Sequence, residues 1–129
     1  QKGIQPGFNL RGMFHSQKDG GYWFRAVKPR SYPIPDDGPV GMLLKKLGRH
    51  PNRPAHLHYI VGADGYEEIT THIFVPDDIY IDSDAVFGVK ESLLADFFKV
   101  DNPVRAEKFN VANPFWEVEF DFVLAPKSG

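Results

Sequence analysis

The sequence predicts an all-β fold: a β-sandwich of mixed-topology strands with short helices and long Pro-rich loops. Three observations carry this. Short runs alternate apolar and polar side chains at period two, the pattern of strands with one buried face. Turn-forming stretches separate these runs at close intervals, and the 129 residues include 11 Pro and 12 Gly. No helix-period stripe extends beyond a few turns, and there is no internal repeat or low-complexity segment. One domain over residues 1–129 can enclose one core.

Phe8 to Phe14 reads as a strand, and Lys18-Asp19-Gly20-Gly21 as a turn. Tyr22 to Lys28 alternates with bulky residues on both sides, so a strand covered on both faces is expected. Pro29 to Gly41 contains Pro29, Pro33, Pro35 and Pro39, which excludes an ordinary helix or a central strand. Val40, Leu43, Leu44 and Leu47 form one helical stripe ended by Gly48. Ala55 to Val61 alternates strictly, with Ala55, Leu57, Tyr59 and Val61 facing one way and His56, His58 and Ile60 the other. Gly62 to Gly65 turns the chain into a strand over Tyr66 to Val75. Pro76-Asp77-Asp78 and Asp82-Ser83-Asp84 mark loops. Leu93 to Val100 reads as strand, and Pro103 to Phe109 as a helical turn. Phe115 to Leu124 closes the series, with Trp116, Val118, Phe120, Phe122 and Leu124 inward.

Composition excludes several classes. A net charge of −2 without a basic block argues against nucleic acid and anionic membranes as partners. The lack of Cys removes disulfides, thiolate nucleophiles and iron–sulfur clusters, and fits a reducing compartment. No apolar run spans a bilayer and no signal peptide opens the chain, so a cytoplasmic location is expected. The chain opens at Gln1-Lys2 without Met, which suggests a fragment or a processed form.

The chemistry concentrates in Arg53-Pro54-Ala55-His56-Leu57-His58. Two His at i and i+2 of a strand project from one face, so their imidazoles can meet one metal ion. The bland alternative is a pair of satisfied surface or core histidines. Tyr32 is either a packing residue of a Pro-rich loop or a phenolate ligand. A phenol ordinarily ionises near pH 10, so at neutral pH it needs a strong Lewis acid. Iron(III) favours an anionic oxygen donor beside imidazoles. Arg53 is either an ion-pair partner or an oriented cation that stabilises nearby anions.

The blocks Tyr22-Trp23-Phe24-Arg25-Ala26-Val27-Lys28-Pro29, Tyr32-Pro33-Ile34-Pro35, Asp37-Gly38-Pro39-Val40-Gly41, Leu47-Gly48-Arg49-His50-Pro51 and Arg53 to His58 resemble the intradiol ring-cleavage dioxygenases. The likeness continues through Thr71-His72-Ile73-Phe74, Asp82 to Glu91 and Phe115-Trp116, and covers nearly the whole chain. Within the family, Tyr32 to Pro35 and Ala85-Val86-Phe87-Gly88-Val89-Lys90 look most like the hydroxyquinol branch. Catechol and chlorocatechol enzymes are the nearer of the other relatives.

The resemblance implies a mononuclear, non-haem iron(III) centre held by two Tyr, two His and a hydroxide. Matched by motif, the metal ligands are Tyr32, His56 and His58, with Tyr32 also catalytic because its counterpart leaves the metal when substrate binds. The other family Tyr falls a few residues before Gln1. So does the helical segment that forms the dimer contact, and a homodimer is expected of the full-length protein. Arg53 is implied to be catalytic, stabilising a carbanion-like substrate, and Ile34, Pro35, Arg53 and Val86 to contact substrate. His72 is placed behind the ligands rather than among them, and its face depends on the length of the Gly62–Gly65 turn. His15 and His50 read as surface or structural residues. The implied partners are a small aromatic diol or triol and O2. A zinc or copper site on the His pair, and a metal-free binding sandwich, are the readings from other classes.

Overall fold

A computed structural model of the protein describes residues 7–128; the outermost residues of the expected 1–129 domain lie outside it. Strands dominate and helices are few. In chain order the elements are β1 (Tyr32–Pro33), α1 (Pro39–Lys46), β2 (Asn52–Arg53), β3 (His56–Val61), β4 (Ile69–Phe74), β5 (Phe97–Val100), α2 (Pro103–Phe109) and β6 (Phe115–Val118), with short 3-10 turns at Ile81–Ser83 and Glu91–Leu93. The strands pair as β1–β2, β3–β4 and β5–β6, each ladder antiparallel. Among the described residues, the parallel part of the expected mixed topology is a single bridge between Phe74 and Leu94.

The β3–β4 hairpin is the centre of the fold. Its registers run from His56 opposite Phe74 to Val61 opposite Ile69. Val75 N–H donates to the Ala55 carbonyl at 3.0 Å and carries the pairing one step further. Period two then sends His56, His58, His72 and Phe74 to one face and Leu57, Tyr59, Thr71 and Ile73 to the other. Ile73, Phe74 and Val75 are buried, together with Ala55 and Pro54.

Both short helices obey their end signals. Pro39 opens α1 at a position where its missing N–H costs nothing. Gly41 is buried there, and a Cβ would lie 1.7 Å from the Asp36 carbonyl oxygen, so no other residue fits. Gly48 follows at φ +64. In α2, Pro103 follows Asn102, whose side chain caps Arg105 N–H at 3.0 Å. Arg105 then bridges to Glu117 of β6.

Three expectations fail. Phe8 to Phe14 forms a turn and irregular chain, with Phe8 and Leu10 at positive φ, a conformation that a strand excludes. Tyr22 to Lys28 joins no ladder and is mostly exposed; side chains hold it, through Tyr22 Oη donating to the Phe120 carbonyl at 2.6 Å and Lys28 lying over Trp116. The helix expected over Val40 to Leu47 does form as α1, with Leu44 buried and Val40, Leu43 and Leu47 exposed. Pairing in the last run stops at Val118, and Trp116, expected inward, is exposed beneath Lys28.

Candidate metal and substrate site

β1 and β2 are only two residues each, but their register sets Tyr32 directly opposite Arg53. Ile34 N–H donates to the Pro51 carbonyl at 3.0 Å and continues this clasp. Three residues beyond Arg53 the chain enters β3 at His56. The Tyr32 and His56 rings therefore stand 5.5 Å apart, centroid to centroid. His58 follows on the same face, its ring 6.1 Å from that of His56.

The hydrogen bonds of His56 fix its tautomer. Arg53 Nη1 lies 3.2 Å from His56 Nε2, and a guanidinium can only donate, so Nε2 is the acceptor. Nδ1 therefore carries the proton and donates to the Pro54 carbonyl at 2.7 Å. A backbone carbonyl on the far nitrogen is the usual support of a metal-binding imidazole, since it orients the ring and raises its basicity. The basic nitrogen faces the Tyr32 and Arg53 side. Burial, then the charges of Arg53 and His58, hold the His56 pKa below its ordinary value against the pull of the Pro54 carbonyl and Asp84. The ring is neutral near pH 7, as a ligand must be.

His72 pairs directly with His58 across the ladder, so the turn length puts it on the histidine face. Its Nε2 is 2.7 Å from His58 Nε2, one of the two donating. Burial, then His58, His56 and Arg53, push its pKa down to about 4. Beneath these rings lies the buried Phe74, 5.5 Å from His56 and 5.7 Å from His72 between centroids.

Asp84 is the participant the sequence did not reveal. It is buried and accepts from Arg53 Nε at 3.1 Å and Nη2 at 3.3 Å. It sits in a run that reads as an acidic loop, 31 positions from its partner, so periodicity carried no signal. Val86 N–H and Gly88 N–H also donate to its carboxylate, at 3.3 and 2.8 Å. Burial pushes the Asp84 pKa up, but the hydrogen bonds from Arg53, Gly88 and Val86 and the Arg53 charge outweigh it, and the net shift is downward.

The remaining residues lie near but not within this cluster. Ile34 is half-buried beside β1, Pro35 is exposed, and Val86 is tied to the site through Asp84. His50 receives Asn52 N–H on Nδ1 at 3.1 Å and donates from Nε2 to Ser83 Oγ at 2.9 Å, a structural role. A cavity of about 710 Å³ lies on the other face of β3, against Leu57, Tyr59 and Ile73.

Among the described residues, no three His, Cys, Asp or Glu side chains are arranged to hold a metal ion. A metal on this face would need a further donor type, and Tyr32 brings a phenol ring within 5.5 Å of the His56 ring, centroid to centroid. Nitrogen donors with a hard anionic oxygen fit iron(III) better than zinc or copper(I), which favour softer sets. No helix among the described residues is long and apolar enough to cross a membrane.

A family model described as Dioxygenase matches residues 1–126. The chain is 68% identical to hydroxyquinol 1,2-dioxygenase of Rhizobium sp. strain MTP-10005 over 97% of its own length and 43% of that protein's. It superposes on the crystal structure of hydroxyquinol 1,2-dioxygenase from Pseudomonas putida DLL-E4 with a TM-score of 0.87 at 42% identity, covering 96% of this chain and 44% of that one. Catechol 1,2-dioxygenase of Acinetobacter sp. ADP1 follows with a TM-score of 0.78 at 39% identity, over 84% of this chain and 35% of that one. The chain thus spans less than half the length of the relatives it matches. With the family match running over nearly all of the sequence and the fold following that of solved members, this chain belongs to the intradiol ring-cleaving dioxygenases.

Proposed function

We propose that the protein cleaves hydroxyquinol between its two adjacent hydroxyls, using O2 and a non-haem iron(III) held by Tyr32, His56 and His58. One observation carries the reading: His56 turns its Nε2 toward the face that Tyr32 and Arg53 close, where its one lone pair accepts from Arg53 Nη1 and would pass to iron. The choice of hydroxyquinol rests on the 68% identity to an enzyme of that name. A further Tyr upstream of this chain completes the ligand set, and the upstream segment makes the homodimer contact. The short ladders described above belong, in the whole protein, to a β-sandwich. Its second layer covers the aromatic residues now exposed, such as Trp23 and Phe98.

A ferric ion held by Tyr32, His56 and His58 would supply the Lewis acidity that acidifies the adjacent hydroxyls and makes the ring reactive to oxygen. The protein's own groups do the rest. The Tyr32 phenolate oxygen takes a proton from a substrate hydroxyl. Arg53, held with one edge toward His56, stabilises negative charge that develops on the ring during oxygen attack. Ile34, Pro35 and Val86 border the substrate and set its ring size and substituents. His72 packs against His58 and limits its rotation. Addition of both oxygen atoms converts benzene-1,2,4-triol to 3-hydroxymuconate, whose keto form is maleylacetate.

The test uses the full-length protein loaded with iron, with oxygen uptake and product identified for hydroxyquinol, catechol and chlorocatechols. The expected result is a specificity constant highest for hydroxyquinol and one O2 consumed per ring. A preference for catechol would move the protein to the catechol branch. Neither iron uptake nor oxygen consumption would leave a metal-free binding sandwich.

A further inference from the structure

We propose that Asp84 is the positioning residue of Arg53. Its carboxylate grips the Nε–Nη2 edge of the guanidinium and thereby aims the remaining Nη1 at the histidine face. The inference rests on the role given to Arg53 above and extends it to a residue whose side chain does not reach the iron ligands.

An arginine side chain has several rotatable bonds, and from a two-residue strand it could point in many directions. A two-point bond to a planar fork removes that freedom, because both acceptor oxygens must lie in the guanidinium plane. The anchor must itself be rigid, and Asp84 is. Backbone N–H groups of Val86 and Gly88 hold its carboxylate from below. Arg49 Nη2 donates to its carbonyl at 2.8 Å. On either side of it, Ser83 bonds His50, and Ala85 N–H donates to the Asn52 carbonyl at 3.1 Å. Residues 49–53 and 83–88 are thus clasped at successive points around the ion pair.

Gly88 shows how closely the pair is confined. A Cβ there would lie 3.0 Å from Arg53 Nη2 and 3.1 Å from Asp84 Oδ2. Its φ lies outside the left-handed region, so the backbone itself would accept alanine. The ion pair, not the chain conformation, would have to give way slightly to admit a side chain. Gly88→Ala is therefore a steric probe that presses on the guanidinium without removing a charge.

The experiment compares Asp84→Asn and Gly88→Ala with the parent in the full-length, iron-loaded enzyme. Asn keeps the shape of Asp but must turn an NH2 donor toward Arg53 or the backbone N–H groups, so one edge bond is lost. Iron content and KM for the diol should stay near those of the parent. The kcat should fall about tenfold in Gly88→Ala and about 10²-fold in Asp84→Asn, the usual range for misplaced electrostatic groups. In metal-free protein, the Arg53 Nε–H magnetic resonance signal should be sharp and slowly exchanging in the parent. It should be shifted and exchange-broadened in both variants. If Asp84→Asn does not fold, Gly88→Ala decides alone. A folded variant whose kcat stays within about twofold of the parent overturns the proposal, whatever its thermal stability. So does a fall in kcat with an unchanged Arg53 signal. A parent that oxidises no diol would refute the proposed function instead, and the resonance signal in metal-free protein would still decide the positioning.

Discussion

One face of the β3–β4 ladder carries His56, His58 and His72 above the buried Phe74; the other carries Leu57, Tyr59 and Ile73 against an aromatic groove. The two faces share a backbone and differ by one residue in phase. On the first, ring nitrogens meet one another, a guanidinium and a carbonyl, and each contact fixes a direction. On the second, Tyr59 lies 4.7 Å from Phe122 and 6.2 Å from Phe24 between centroids, at tilted angles that dispersion and area burial favour without selecting one direction. The Tyr59 hydroxyl is pushed up to about 12, by burial first and then by Tyr22, so on this side even a polar tip stays neutral. A strand can therefore keep chemistry and packing one residue apart, provided its register holds. A slip by one residue would exchange the faces and destroy both.

The sharpest way to break this comparison is to remove a proposed ligand from the first face. His56→Ala in the full-length protein should abolish stable iron retention and lower turnover by about 10²-fold or more, since even partners behind a ligand are worth 10–100-fold. Metal analysis and oxygen uptake check this. Leu57→Ala, one residue away on the other face, should instead lower thermal stability by about 2 kcal/mol and leave iron content intact. Equal loss of iron in both variants would mean that the faces are not separable.

Legibility in the sequence followed the same division. Strict alternation over Ala55 to Val61 placed the histidine pair, because period two is local and needs no knowledge of partners. The stripe of Val40, Leu43, Leu44 and Leu47 with its Gly48 stop placed α1 for the same reason: both signals act within a few residues. Alternation misled at Tyr22 to Lys28. It reports that a segment could line a sheet, not that a neighbouring strand is present to pair with it. Asp84 was illegible because its meaning comes from Arg53, far away in sequence, and acidic residues between turns look alike. The side taken by His72 hung on the turn at Gly62 to Gly65, and the register with His58 settles it.

A further effect follows from the ion pair at the edge of the first face. The Asp84 pKa is held below its unfolded value, so the folded state binds fewer protons than the unfolded chain through the acidic range. Stability contributed by Asp84 is fully present above the ordinary carboxylate pKa and is lost as pH falls through the folded value. Breaking a buried pair by removing one partner costs about 3–5 kcal/mol. Asp84→Asn should therefore be less stable than the parent at neutral pH, and the gap should narrow as the pH drops toward 3. Denaturant melts at a series of pH values would show it. A gap independent of pH would mean that Asp84 contributes shape and not charge.

The least effect belongs to the tyrosine pair that separates the faces most cleanly. Tyr32 and Tyr22 are both exposed phenols in chain that is poor in regular structure, and either could be imagined as the anionic ligand. Their surroundings differ. Tyr32 stands opposite Arg53 with its ring beside His56, whereas Tyr22 donates its hydroxyl proton to the Phe120 carbonyl and lies 6.1 Å from Phe122 between centroids, on the groove side. A phenol that is already a donor to a backbone carbonyl, with its pKa raised by burial and then by Asp121, is poorly placed to become an anion. In the iron-loaded full-length protein, Tyr32→Phe should shift or weaken the visible tyrosinate-to-iron absorption. Tyr22→Phe should leave that spectrum and the turnover unchanged, and lower stability by about 1 kcal/mol for the lost hydrogen bond. A spectrum altered by Tyr22→Phe and not by Tyr32→Phe would reverse the assignment of the two phenols and, with it, the face proposed for the metal.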